Sequence, residues 1–183
     1  MKHVLSCLVM CFCGVLYSQN RVSMNATTTL LGFPSLGYEK TLNSHVSFHI
    51  DAIGSTFNSY HKMPLRFLMI TPEVRYYPKK EHRGWYVGGH LGGSAFQLQK
   101  YNYSDTSLYQ KGYNYMVGAS VGYVYFVTDK LALEAFLGGG SLQSYYKGYN
   151  ATTGERYDLA HKYNKSGEWL PYRGGITVIY QLK

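Results

Sequence analysis

The sequence predicts an all-β protein, an eight-stranded antiparallel up-and-down transmembrane β-barrel with a side-chain-filled interior. Three observations predict it. The chain alternates apolar and polar or small residues with period two over most of its length. Aromatic residues close off the apolar faces at a spacing that matches a bilayer. The connections between these runs alternate short and long, as in outer-membrane barrels.

The alternation is clearest over Tyr113 to Val127. Tyr113, Tyr115, Val117, Ala119, Val121, Tyr123 and Tyr125 fall on one face, and Asn114, Met116, Gly118, Ser120, Gly122 and Val124 on the other. Tyr115 and Tyr123 are separated by roughly 20 Å of barrel height, given the strand rise and a tilt near 40°. The final run puts Leu170, Tyr172, Gly174, Ile176, Val178, Tyr180 and Leu182 on one face. Four more runs centre on Val46 to Ala52, Leu68 to Tyr76, Trp85 to Ala95 and Leu131 to Leu137. Residues 21–31 and 35–41 are weaker strand candidates and complete eight. The outward aromatic girdle is expected from Trp85, Tyr113, Tyr115, Tyr123, Tyr125, Tyr172 and Tyr180.

Short turns are expected at Leu42-Asn43-Ser44, Pro78 to Arg83 and Thr128-Asp129-Lys130. Longer connections are expected at Ser55 to Leu65, Leu98 to Gly112 and Tyr146 to Glu168, with Leu30 to Pro34 a short exception. Eight strands leave an interior just wide enough for side chains. Gly88, Gly92, Gly118, Gly122, Gly138 and Gly140 fall on the inward face and make room there for Tyr86, Phe136 and charged groups. Glu73, Arg75, Glu134 and Arg173 are the expected interior ion-pair network.

The start of the chain reads as a signal peptide over residues 1–18. Lys2 precedes an apolar stretch from Val4 to Leu16, and Leu16-Tyr17-Ser18 precedes the expected cut. Residues 19–183 form the barrel domain. The three cysteines, Cys7, Cys11 and Cys13, all lie in the leader, so disulfide chemistry is not expected beyond it. Charged residues are only 15% of the chain, whereas Tyr and Gly each occur 20 times. The net charge of +8 comes without a lysine or arginine cluster that would track phosphates, so nucleic acid is not an expected partner.

Two resemblances follow from the residues. Arg173-Gly174-Gly175-Ile176-Thr177-Val178-Ile179-Tyr180 resembles the terminal-strand signal read by outer-membrane barrel-assembly machinery, with Lys183 in place of the common final aromatic residue. Pro72-Glu73-Val74-Arg75-Tyr76-Tyr77, Gly84-Trp85-Tyr86-Val87-Gly88, Gly118 to Tyr125, Leu133-Glu134-Ala135 with Gly138-Gly139-Gly140, and the early Asn25-Ala26-Thr27-Thr28-Thr29 resemble domain of unknown function 3575. That resemblance implies a secreted barrel of a Gram-negative bacterium and supplies no catalytic residues.

Chemistry in the sequence is sparse. His45 and Ser47 share a face, as do His90 and Ser94, but the second pair is about 13 Å apart along a strand. His45 and His49 are separated by the same distance, too far for one zinc. No cofactor, metal site or enzymatic activity is expected. The expected role is structural, envelope-organising or supportive of a surface assembly, in the outer membrane with both termini periplasmic. The alternative is an accessory subunit docking through its wall at Gly89, Gly93 and Gly139, and a lipid-modifying enzyme ranks below it. Expected contacts are outer-membrane lipid and lipopolysaccharide, plus a possible protein partner in an outer-membrane complex. The outer connections, rich in tyrosine and lysine, and the basic turn of Lys79, Lys80 and Arg83 are the candidate contact surfaces.

Overall fold

The computed structural model describes residues 20–59, 62–100, 103, 106–158 and 162–182. The expected leader, and with it Tyr101 and Lys183, lies outside the described residues. Eight antiparallel strands close into a single ring in chain order: β1 (Asn20–Asn25), β2 (Ser35–Thr41), β3 (Val46–Asn58), β4 (Pro64–Tyr76), β5 (Gly84–Leu98), β6 (Leu108–Phe126), β7 (Leu131–Asn150) and β8 (Asn164–Gln181). β1 closes the ring by pairing with β8 from Arg21↔Gln181 to Asn25↔Thr177. Closure satisfies both edges of every strand in the paired zone, which an open sheet cannot do.

The period-two reading holds along β3 to β7. On β6 the burial alternates without a break from Tyr113 to Tyr125, with Tyr113, Val117 and Tyr125 exposed and Met116, Ser120 and Val124 buried. The three short turns fall where the sequence places them, and the one before β5 contains a single 3₁₀ turn, Lys80–His82.

Four expectations are corrected. The first concerns residues 21–31, of which only the first part is strand. Asn25 ends β1 and its side chain accepts a hydrogen bond from the Thr28 amide at 3.2 Å. It thereby caps one helical turn, α1 (Ala26–Leu30), as asparagine does at helix starts. The cap also ties this turn to the wall, since Asn25 Nδ2 donates to the Gly174 carbonyl (3.2 Å) and Thr27 Oγ1 accepts from the Ile176 amide (2.9 Å).

The second correction concerns the long connections. β3 and β4 run on to Asn58 and from Pro64, β6 begins at Leu108, and β7 extends to Asn150. Residues expected in loops, including Tyr109, Lys111, Tyr146, Lys147, Tyr149 and Lys165, are therefore in strands. Cross-strand tyrosine pairs extend the ladder: Tyr109 stacks on Tyr149 with ring centroids 5.7 Å apart and Tyr113 on Tyr145 at 5.5 Å.

The third correction is Tyr172. The β7–β8 register shifts at Gly138/Gly139, pairing Gly138 with Arg173 but Gly139 with Pro171. Tyr172 is the extra residue of a β-bulge, and a bulge reverses the facing of everything beyond it. Tyr172 turns inward to His90 (Oη to Nε2 2.7 Å), so it leaves the expected outer girdle. Beyond it Trp169 is fully outward and Leu170 is not. The fourth correction is Gly139. A Cβ there would meet the Leu170 carbonyl at 2.6 Å, so it accommodates the bulge and offers no open notch. Gly89 has nothing within 4 Å of a Cβ and is open, as expected.

Gly118 faces the same crowding from inside. A Cβ would run into the Gly139 carbonyl and lie 2.6 Å from the Tyr172 hydroxyl. Backbone cannot yield as a flexible side chain can. Gly118→Ala is expected to destabilise by about 1–3 kcal/mol. Gly89→Ala is expected to stay within about 0.5 kcal/mol. Urea unfolding of the two refolded variants checks both.

Candidate functional site

The ring encloses a charge lattice built on alternate residues of six strands. Arg75 on β4 is its hub. Its Nε contacts Glu73 Oε2 at 2.8 Å, and its Nη1 contacts Glu134 on β7 at 2.9 Å and Glu39 on β2 at 3.6 Å. Its guanidinium lies over the Tyr86 ring, 4.5 Å from the centroid. Arg173 on β8 meets Asp51 at 2.6 Å and Glu73 at 3.5 Å, and Arg21 on β1 lies 3.9 Å from Glu39. His49 stands between Glu73 (3.5 Å) and Asp51 (3.9 Å).

Neutral donors complete the carboxylates. The Tyr86 hydroxyl donates to Glu134 at 2.5 Å and the Tyr77 hydroxyl to Glu39 at 3.0 Å. Ser47 donates to Glu39 and Ser120 to Glu73. Buried charges survive only when paired and hydrogen-bonded in this way. Small residues give the lattice its space. A Cβ at Gly88 would lie 2.7 Å from Ser120 Oγ and 2.9 Å from Glu73 Cδ, and one at Gly122 would strike the Tyr86 ring.

Below the lattice, Tyr77, Tyr86, Val124, Ala132 and Ile179 form an apolar floor, flanked by Phe126 and Phe136. The turn before β5 closes this end. Arg21 donates to the carbonyls of Glu81 and His82, each at 3.2 Å, and both residues have positive φ (71° and 56°). Such backbone is costly for residues with side chains, and the two hydrogen bonds hold it. His82 is buried against Tyr77, with ring centroids 4.9 Å apart.

Burial and the Arg21 guanidinium hold the His82 imidazole below its ordinary value, against weaker upward pulls from a hydrogen bond with the Val46 backbone and from Glu39. The unfolded chain then binds more protons than the folded one near pH 6. The stability this group contributes is present above the unfolded value of about 6.5 and is lost as pH falls from there through the lower folded value. His82→Asn is expected to flatten the fall in urea midpoint between about pH 7 and pH 5, and midpoints at the two values check it.

Filling is uneven. The lower half is packed, whereas the upper half holds a cavity of about 310 Å³ beside Arg173, Tyr172 and Thr28 and another of about 220 Å³ near the outer mouth. The sequence places Glu73, Arg75, Glu134 and Arg173 in one interior network, and the structure brings all four together. It adds Glu39, Arg21, Asp51 and His49. Glu39 and Arg21 lie on the two strands that were weakest in the sequence, and the alternation of Gly37 and Glu39 with Leu36 and Tyr38 is the signal that finds Glu39.

The histidine–serine pairs are otherwise engaged. His45 Nδ1 lies 2.8 Å from the Tyr77 carbonyl and Ser47 donates to Glu39. His90 meets Tyr172, and Ser94 donates to Asn114 at 3.0 Å. Among the described residues no group of three or more His, Cys, Asp or Glu could hold a metal ion.

The outer wall has the opposite chemistry. Trp85, Tyr113, Tyr115, Tyr123, Tyr125 and Tyr180 are exposed, and between them so are Val87, Leu91, Val117, Val121, Leu133, Leu137 and Ile176. Trp85 packs edge-on against Tyr123 at 5.3 Å. The aromatic residues thus stand at two heights with aliphatic side chains between them.

With this geometry in place, the chain matches, over residues 3–182, a family described as protein of unknown function (DUF3575). It belongs to that family. It is also 31% identical over 128 residues to cellulose synthase operon protein C of Komagataeibacter sucrofermentans, a stretch covering 64% of this chain and 10% of that protein. The chain thus spans about a tenth of the length of this relative. No solved structure matches it. In this family member the Pro72–Tyr77 segment supplies both the hub Arg75 and its partner Glu73, and the Asn25–Thr29 segment is the cap that ties α1 to β8.

Proposed function

We propose that this family member is an outer-membrane β-barrel of a Gram-negative cell with a structural, envelope-organising or surface-assembly role and no enzymatic activity. One observation carries the reading: the ring is inside out. A lattice of charges, Arg21, Glu39, Glu73, Arg75, Glu134 and Arg173, is buried in the interior, and the exposed wall is aliphatic between two levels of aromatic side chains. In water, so large a contiguous apolar surface is an aggregation hazard. In a bilayer it is the required exterior, with tyrosine and tryptophan at the interfaces. A packed lower half with every carboxylate paired suits a rigid element better than a conducting pore. On this reading both termini and the three short turns are periplasmic, and insertion uses the barrel-assembly machinery through β8.

Fractionation tests the location. The protein is expected in the outer membrane, resistant to urea and carbonate washing, with a gel mobility that changes on boiling. Recovery in the soluble periplasm sinks the reading. Unaltered lipid A in a deletion strain is the expected result for a non-enzyme.

A second reading, an accessory subunit of a larger outer-membrane complex, is favoured by two observations. Gly89 and Ala119, paired in register on the wall, leave a shallow open site. The curated relative is named for a cellulose synthase operon. A stoichiometric partner after mild-detergent purification is its expected signature.

A further inference from the structure

The outer wall changes character just beyond the upper aromatic level. At that level the register runs Leu68↔Ala95, Ala95↔Tyr113, Tyr113↔Tyr145 and Tyr145↔Lys165. Two residues farther out it runs Thr56↔Arg66, Arg66↔Gln97, Gln97↔Lys111 and Lys111↔Lys147. Because the strands alternate, these side chains share the outward face. Arg66, Lys111, Lys147 and Lys165 therefore form one basic band across the tall side of the ring. Strand spacing of about 4.8 Å makes Arg66 to Lys147 roughly 14 Å. A surface groove of about 580 Å³ follows the band, lined by Arg66, Gln97, Lys111 and Lys147 with Tyr113 and Tyr149.

Lys111 and Lys147 stand directly opposite each other in the ladder. Like charges in that relation destabilise a strand pair. Among the described residues no carboxylate pairs with them. Arg66 donates to the Asn58 amide oxygen at 3.3 Å, Lys147 lies over the Tyr163 ring at 4.7 Å, and Lys165 lies over the Tyr145 ring at 5.6 Å. Among the described residues none of the four makes a salt bridge to a carboxylate. The band combines clustered cations, stacked tyrosines above it (Tyr109 on Tyr149) and an apolar wall below it.

We propose that this band binds the phosphorylated sugar headgroup of an outer-leaflet glycolipid of the lipopolysaccharide class. A phosphate between Lys111 and Lys147 turns their repulsion into two charge-assisted hydrogen bonds. A second phosphate reaches Arg66. The sugar faces meet the tyrosines, and the acyl chains run down past Leu68 and Ala95. The proposal rests on reading the wall as membrane-embedded.

The test uses the full barrel refolded in a neutral detergent, with bisphosphorylated lipid A, monophosphorylated lipid A, phosphatidylglycerol and inorganic phosphate as separate probes. The expected result is a rise in melting temperature with bisphosphorylated lipid A and a weaker one with the monophosphorylated form. Binding measured by native mass spectrometry is expected to drop about tenfold or more in Lys111→Gln/Lys147→Gln, equivalent to about 1.4 kcal/mol. Without lipid, that variant is expected to melt no lower than the parent, because the repulsion is gone, so lost binding is separated from misfolding. Arg66→Gln, outside the repelling pair, is a second variant expected to weaken the bisphosphorylated probe more than the monophosphorylated one.

Unchanged lipid A binding in the double variant overturns the proposal. So does equal binding of phosphatidylglycerol, which marks a merely anionic surface, or displacement by millimolar inorganic phosphate, which marks a free-phosphate site. Protease protection in neutral phosphatidylcholine vesicles reads the membrane assignment by itself. A barrel that inserts but ignores lipid A overturns this proposal alone, and one that fails to insert overturns both.

Discussion

Arg75→Ala is expected to abolish the folded barrel or to lower its stability by about 3–5 kcal/mol, the usual cost of removing one partner from a buried ion pair. The reason is geometric. Arg75 is 1% exposed and touches Glu73, Glu134 and Glu39 from three different strands. Its loss leaves three carboxylates facing one another in a closed interior. The apolar floor beneath offers them no donor beyond Tyr77 and Tyr86. Arg75→Lys is expected to fall between the two, since an ammonium keeps the charge but lacks the planar fork that serves several carboxylates together. Adding Glu134→Gln to Arg75→Ala is expected to recover part of the loss, because one stranded charge is removed. Boiling-dependent gel mobility and urea midpoints measure all three, and an alanine variant within about 1 kcal/mol of the parent contradicts the hub assignment.

Ala119→Arg carries the second-largest expected effect, and it bears on location as well as stability. Ala119 lies on the exposed face of β6, midway between Tyr115 and Tyr123. Its neighbours in register are Gly89 and Gly139, so an arginine fits without a steric clash on the outward side. On a water-facing wall the substitution stays within about 0.5 kcal/mol. At the midplane of a bilayer an arginine on the lipid face costs about 2–4 kcal/mol. Reversible urea unfolding from phospholipid vesicles is expected to give the larger value. Thr128→Arg, in the turn after β6, is the control and is expected to cost no more than about 1 kcal/mol, since the penalty fades toward the interface. Equal, small effects at both positions would place the wall in water.

Much of the fold could be read from the chain because the two faces of each strand meet opposite environments. Along the lower parts of β3 to β7, where the outward residues are apolar, aromatic or glycine, period two alone assigns the facing. Glu73, Arg75 and Glu134 follow from it, and the same alternation in the lower part of β8 gives Arg173. Three features escaped for distinct physical reasons. β1 has only 6 residues and continues into Asn-Ala-Thr-Thr-Thr, whose β-branched side chains suit a strand while the asparagine cap favours a helical turn. Its weakness as a strand hid Arg21. The bulge at Tyr172 is encoded in the preceding Pro171, which cannot donate to a ladder and is found at bulges and edges. A composition reading passes over that signal. The upper parts of β6, β7 and β8 have the tyrosine and lysine content of a solvated loop. Only the pairing of tyrosine with tyrosine across strands turns them into sheet.

The cap at Asn25 leaves the ring with an uneven rim. Among the described residues the β1–β8 ladder ends at Asn25↔Thr177, yet β8 continues upward to Asn164 with β7 alone as its partner. β2 likewise leaves β3 near Ile53, and β3 runs on to Asn58 against β4. The upper part of the molecule is therefore an open, curved sheet with two free borders standing on a closed cylinder. A free border is a template for another strand, and the β8 border is guarded. Pro171 removes a donor from the β8 border, Lys165 and Glu168 charge it, and Thr27 occupies the amide of Ile176 at its base. One chain thus meets its surroundings in two ways, as a sealed tube below and as an ordinary sheet with a protected β8 edge above.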